Sequence, residues 1–220
     1  MIRKTHTGEI AREDLVSTPV GTARIAWYPA QGTARAVALL GHGSATGVES
    51  DDLQALAKAL PPHGLTVALV TQPYRNEHNP RVADEASLDA AWNALWPRAA
   101  ELGLPVIAGG RSAGSQAACR TAERLGAHAV LALAYPLLGP GSPRELLATG
   151  RPVLVVQGGN DPFGRPDQFP PLPPGIELVE IPAANHTFGT ITTPRATSMN
   201  RITTAALGWI DRQLSVPSGA

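Results

Sequence analysis

The residues Gly110-Arg111-Ser112-Ala113-Gly114 place a serine between two glycines, directly after the apolar run Pro105-Val106-Ile107-Ala108 and at the head of a segment with helical spacing. A sharp strand-to-helix turn of this composition holds a serine in a strained backbone conformation and lifts its hydroxyl clear of the sheet, where it can attack a carbonyl carbon. The five-residue pattern is short, so the strand before it and the helix after it carry the argument. A hydroxyl is a weak nucleophile at neutral pH, and Ser112 needs a base in hydrogen-bond reach, itself oriented by an acid. Two loops that follow apolar runs supply those types. Asp161 lies in Gln157-Gly158-Gly159-Asn160-Asp161-Pro162-Phe163-Gly164, and His186 in Ala184-Asn185-His186-Thr187-Phe188-Gly189. The chain order Ser112, Asp161, His186 is the order this type of elbow uses. Singly, Ser112 reads as a helix N-cap, Asp161 as a turn residue before Pro162 and His186 as a loop histidine. Those plainer readings leave the order and the shared loop placement unexplained.

A tetrahedral oxyanion requires preorganised donors, and the backbone N–H of Ala113 at the helix start is one. The second is expected in Leu40-Gly41-His42-Gly43-Ser44-Ala45-Thr46-Gly47, where small residues let backbone approach a substrate; Ser44 N–H is the first choice and Ala45 N–H the next. Without a Gly-Lys-Ser/Thr ending, this loop does not read as a phosphate cradle. Tyr74, Arg75, Arg111 and Phe163 are candidate substrate contacts, Arg111 by meeting a carboxylate. His6, His63, His78 and His128 read as structural or solvated. The histidines lack ligand spacing and the single cysteine, Cys119, sits within a helical pattern, so neither a metal nor another cofactor is expected.

The elements that must position these groups follow from the hydrophobic pattern. Val37–Leu40, Leu65–Val70, Pro105–Ala108, Val130–Ala134 and Val153–Val156 are continuously apolar, as in parallel strands covered on both faces; Ile176–Ile181 is mixed and suits an edge. Leu15-Val16 and Arg24–Tyr28 flank Pro19-Val20-Gly21 as an antiparallel hairpin. Helical patterns lie between the runs: Asp51–Leu60 up to Pro61-Pro62; Leu88, Trp92, Leu95, Trp96 and Ala99, with an end or kink at Pro97; Ala113–Leu125, stopped by Gly126; a capping box at Ser142-Pro143-Arg144-Glu145; and the stripe Met199, Ile202, Ala206, Trp209, Ile210. A hairpin followed by repeated β-α units predicts a doubly wound, mostly parallel sheet with helices on both faces. In such a sheet, loops at the carboxyl ends of the strands share one edge, which is where the three chemical residues fall.

With 220 residues, 43% of them hydrophobic, the chain is expected to form one domain, 1–220. Lys+Arg and Asp+Glu are both 18, so the charge balance points neither to nucleic acid nor to an acidic membrane surface, and a small, roughly neutral substrate fits best. The polar start Met1–Glu9 lacks a secretory apolar core and the longest apolar stretch, Ala129–Leu138, is too short to cross a bilayer; the expected location is cytoplasmic. Oligomeric state has no signal in the residues.

Together, His42-Gly43, Gly110–Gly114, Asp161-Pro162-Phe163-Gly164 and Asn185-His186-Thr187-Phe188 resemble the α/β-hydrolase superfamily over nearly the whole chain, and the small size looks like its compact, lidless dienelactone-hydrolase-like branch. The Gly109-Gly110-Arg111-Ser112 elbow and Pro73-Tyr74-Arg75 are similar to a compact subfamily that includes a chromatin-complex subunit; where that subfamily has another glycine and a basic residue after Gly114, this chain has Ser115-Gln116. Dienelactone hydrolases proper use a cysteine nucleophile, whereas Ser112 here implies ordinary ester chemistry. The resemblance implies a serine hydrolase of carboxylic esters or thioesters working through an acyl-enzyme. The alternatives are a non-catalytic scaffold or binding protein on the same fold, and a serine peptidase. Superfamily members often insert a lid before the acid-bearing strand, but Ala134–Pro152 has room for one short helix only. An open cleft walled by Pro73–Val82 and Pro162–Pro174 is therefore expected.

Overall fold

The computed structural model of the protein describes residues 10–76, 84–139 and 141–215. Its centre is an eight-stranded sheet. The first two strands, β1 (Arg12–Thr18) and β2 (Gly21–Tyr28), are the expected hairpin, extended at both ends. β2 pairs antiparallel with β4 (Leu65–Thr71), which lies parallel to β3 (Ala36–Gly41); beyond β3 come β5 (Val106–Arg111), β6 (Ala129–Leu133), β7 (Val153–Gly158) and the edge strand β8 (Ile176–Ile181), all parallel. The order β1-β2-β4-β3-β5-β6-β7-β8 makes this a mostly parallel α/β sheet. Every residue of β3, β5, β6 and β7 is buried, the physical reason these strands are apolar instead of alternating up to the buried polar residues Arg111 and Gln157 near the ends of β5 and β7.

Alternate residues along a strand face opposite sides, so the sheet divides the core in two. Ala36, Ala38 and Leu40 of β3 pack with Leu53 and Leu56 of α1 (Asp51–Ala59) and with Ile202 and Trp209 of α6 (Arg195–Ser215). Val37 and Leu39 pack on the other face with Trp92 and Leu95 of α3 (Glu85–Ala100) and with Ala118 and Cys119 of α4 (Ala113–Leu125). Trp92 and Trp209 are fully buried on opposite faces. Truncating either to alanine belongs to the class of change that costs about 3–5 kcal/mol.

Two helical expectations change. α3 runs past Pro97 to Ala100, because a proline in the last turn forfeits only one intrahelical bond while Trp96 and Ala99 stay buried. α5 (Arg144–Leu147) is a single turn. Ser142 Oγ accepts the Arg144 N–H at 3.1 Å, but Glu145 turns to the Tyr135 hydroxyl instead of closing a capping box. α5 is also the only helix between β6 and β7 among the described residues, so no cap rises over the sheet at that point. No described helix is long and apolar enough to cross a membrane.

Candidate active site

Ser112 sits between β5 and α4 with φ 52° and ψ −118°, a left-handed conformation that a non-glycine residue holds only when its surroundings fix it. The surroundings are tight. A Cβ at Gly114 would lie 2.7 Å from the backbone of Gly41, and one at Gly110 would overlap the Gly41 carbonyl, so both glycines are required for β3 to pass this close. The elbow thus projects Ser112 Oγ above the carboxyl edge of the sheet, 3.1 Å from His186 Nε2. On the other side of the imidazole, His186 Nδ1 lies 2.8 Å from Asp161 Oδ2.

The loops after β7 and β8 hold that geometry. Asp161 is fully buried and accepts three bonds: from Phe163 N–H on Oδ1 at 2.9 Å, and on Oδ2 from Gln157 Nε2 at 3.0 Å and His186 Nδ1 at 2.8 Å. A carboxylate only accepts, so Nδ1 carries the proton and Nε2 offers its lone pair to the Ser112 hydroxyl. Gln157 also donates to the Gly164 carbonyl at 2.7 Å, closing the Asp161 loop on itself. Asn185 Oδ1 gathers the N–H groups of Thr187 and Gly189, each at 3.0 Å, and Phe188 turns back with φ 57° to bury its ring. This asparagine turn presents His186.

Ala113 is the first residue of α4, where a backbone N–H has no carbonyl one turn earlier to bond. The loop after β3 passes beside it, with Gly43 against the Ser112 Cβ. The Gly43 carbonyl is held from behind, 2.7 Å from His42 Nδ1 and 3.3 Å from the Tyr74 hydroxyl. In a trans peptide the next N–H points the opposite way, so this pair turns the Ser44 N–H away from them. Ser44 and Ala113 both line a cleft of about 450 Å³ that opens beside Ser112 and His186. Burial lowers the pKa of His42, and its Nε2 accepts Gln72 N–H at 3.0 Å, so the ring is neutral and donates from Nδ1.

The candidate substrate contacts divide. Phe163 lines the cleft and stands edge-on to the His186 ring, centroids 4.6 Å apart. Tyr74 and Arg75, of α2 (Pro73–Asn76), do not line it: Tyr74 braces Gly43 and Arg75 pairs with Glu49 at 3.0 Å and reaches the Ala45 carbonyl. Arg111 meets a carboxylate, as its type suggested, but that carboxylate is the chain's own Asp52, 3.1 Å away. Its remaining nitrogens bond Thr46 Oγ1 at 2.7 Å and the His186 carbonyl at 2.8 Å, so all three guanidinium nitrogens have partners inside the protein, while Arg111 also lines the cleft. Of the expected walls, Phe163 represents the second; residues 77–82 of the first, with His78, and also His6, lie outside the described residues. Sequence reasoning passed over Gln157, Asn185 and Asp52. Gln157 and Asp52 had no local signal, being a polar end to an apolar strand and an acidic residue in a first helical turn.

A second hollow of about 530 Å³, at the amino ends of β5 and β6, is lined by Trp96, Leu125, His128 and Arg151 and contains no serine-histidine pair. Among the described residues no group of three or more His, Cys, Asp or Glu is placed to hold a metal ion.

The family model for the alpha/beta hydrolase domain matches residues 34–211. The chain belongs to that family. Among solved structures, this α/β hydrolase is similar to a lidless α/β serine hydrolase from Xanthomonas campestris, with 19% identity, TM-score 0.75, and 94% of this chain and 96% of the other covered. An alpha-beta serine hydrolase homologue from Coxiella burnetii matches at 17% identity and TM-score 0.75 over 92% and 98% of the two chains. The dienelactone hydrolase from Anabaena variabilis matches at 23% identity and TM-score 0.73 over 94% and 99%. At these identities the likeness is one of fold. No curated protein matches the chain in sequence.

Proposed function

We infer that this α/β hydrolase cleaves a carboxylic ester or thioester by way of an acyl-enzyme. The observation that carries the reading is the unbroken line from Ser112 Oγ through His186, at 3.1 Å, to buried Asp161, at 2.8 Å, built on a strained elbow. Ser112 Oγ attacks the acyl carbon while His186 Nε2 takes its proton, and Asp161 holds the ring and stabilises the imidazolium. The oxyanion that forms is met by the N–H groups of Ala113 and Ser44. Its collapse expels the alkoxide or thiolate, protonated by His186, and water activated by the same nitrogen releases the acid.

The cleft's chemistry favours a neutral acyl group. Leu88, Pro136 and Phe163 give it apolar walls, Asp84 and Glu85 stand on its lining as carboxylates, and its one cation among the described residues, Arg111, is neutralised by Asp52. The test is turnover of p-nitrophenyl esters, acyl thioesters and amino-acid p-nitroanilides by the full chain and by Ser112→Ala. The reading expects Ser112-dependent cleavage of esters or thioesters. Cleavage of anilides alone would make the protein a peptidase, and no Ser112-dependent turnover on any class would leave it a non-catalytic member of the fold.

A further inference from the structure

Arg111 and Asp52 form an ion pair almost wholly shut from solvent, with side chains 4% and 3% exposed. Such a pair is a poor device for stability alone, because desolvating two charges offsets most of their attraction and apolar residues of similar volume often serve folding as well. What distinguishes this pair is where the guanidinium's other edges go. One nitrogen bonds Thr46 Oγ1 at 2.7 Å, in the loop that carries Ser44; another bonds the backbone carbonyl of His186 itself at 2.8 Å. Arg111 is also the residue directly before Ser112. One rigid, planar group therefore ties the nucleophile's strand, the start of α1, the Ser44 loop and the His186 loop at a single point.

We propose that Arg111 is a positioning residue, oriented by Asp52, that fixes the backbone of His186 relative to the Ser44 loop around Ser112. The proposal rests on the ester-cleaving reading for its kinetic consequence, though not for its structural one. The fork geometry matters: an ammonium is a point charge on a flexible stem and cannot hold a hydroxyl and a carbonyl from two separate nitrogens while keeping its charge beside Asp52. Displacing His186 or the Ser44 amide by a fraction of an ångström leaves ground-state binding nearly intact and weakens contacts needed at the transition state.

The test uses the full chain carrying either Arg111→Lys or the charge-free pair Asp52→Asn with Arg111→Gln. Each is read by melting temperature, by kcat and KM on p-nitrophenyl acetate, and by the low-field proton resonance of His186 Nδ1–H. The charge-free pair removes the buried charges together, so a purely structural role predicts that turnover returns with stability. Positioning predicts that it melts near wild type while kcat falls ~10- to 100-fold with KM within about threefold, and that the Nδ1 proton shifts or broadens. Arg111→Lys, which keeps the charge without the fork, shows the same fall. Near-wild-type kcat and an unmoved proton resonance in variants that melt normally overturn the proposal. If the charge-free pair does not fold, Arg111→Lys decides by the same readouts. If wild type shows no Ser112-dependent turnover, the hydrolase reading fails, and the proton resonance still decides whether Arg111 holds His186.

Discussion

Asp161→Asn changes one atom of the site and reverses its hydrogen-bond logic. Both donors that meet Oδ2, Gln157 Nε2 at 3.0 Å and His186 Nδ1 at 2.8 Å, require an acceptor there, while Phe163 N–H requires one at Oδ1, 2.9 Å away. A carboxamide supplies one oxygen. If it faces Phe163, the NH₂ confronts Gln157 and His186; Gln157 can turn its own oxygen to meet it only by giving up its 2.7 Å bond to Gly164. His186 then adopts the other tautomer, with its proton on Nε2, where it cannot accept from Ser112. If the oxygen faces His186 instead, the half-buried Phe163 N–H is left against an NH₂, at a cost below the about 1–3 kcal/mol of a fully buried orphan donor. The first arrangement switches the base off, and a wrong tautomer in such a site lowers kcat by up to ~10⁴. A loss of about 10²–10⁴ is therefore expected, ~3–6 kcal/mol of transition-state stabilisation, with the melting temperature within a few degrees of wild type. The assay is p-nitrophenyl acetate turnover beside a thermal melt. Turnover within tenfold of wild type in a folded Asp161→Asn protein would refute the reasoning.

Much of this site was legible because it follows from chain order and strand ends. Continuous Val/Leu runs marked strands buried on both faces, and the loops after them had to meet at one edge, which brings Ser112, Asp161 and His186 together. The supporting interactions were not legible in the same way. The partner of Arg111 is Asp52, far away in sequence and read locally as a helix start, and only the packing of α1 against the sheet reveals that the two meet. Tyr74 and Arg75 are candidate substrate contacts by type, but they brace the back of the loop after β3, because a four-residue helix turns them behind Gly43 and Ala45. Pro97 reads as a helix end or kink from local rules, and the burial of Trp96 and Ala99 carries the helix past it.

With no cap between β6 and β7 among the described residues and apolar walls beside Ser112, kcat/KM for p-nitrophenyl esters should peak at short acyl lengths, about C2 to C6, since each buried methylene adds about 0.8 kcal/mol only while it finds apolar surface; an optimum at C12 or a jump at the critical micelle concentration contradicts this. His42 has its pKa lowered from 6.5 by burial, so the unfolded state binds the extra proton first: stability is unaffected above pH 6.5 and is lost as pH falls through the range below it. Chemical denaturation at stepped pH should show that slope flattened in His42→Gln, and an unchanged slope would remove His42 as its source. Burial pushes the Cys119 thiol up to about 12, so the native protein should resist iodoacetamide and react at the rate of global opening; fast native labelling at Cys119 would show that α4 is less well packed than the structure has it.

The most direct test of the central claim is the site of attack by a fluorophosphonate, which reacts quickly only with a serine that a neighbouring base has activated. Intact-mass and peptide analysis should find one adduct per chain, on Ser112, lost in Ser112→Ala. An adduct on Ser44 or Ser115, or none on a folded protein, would contradict the account.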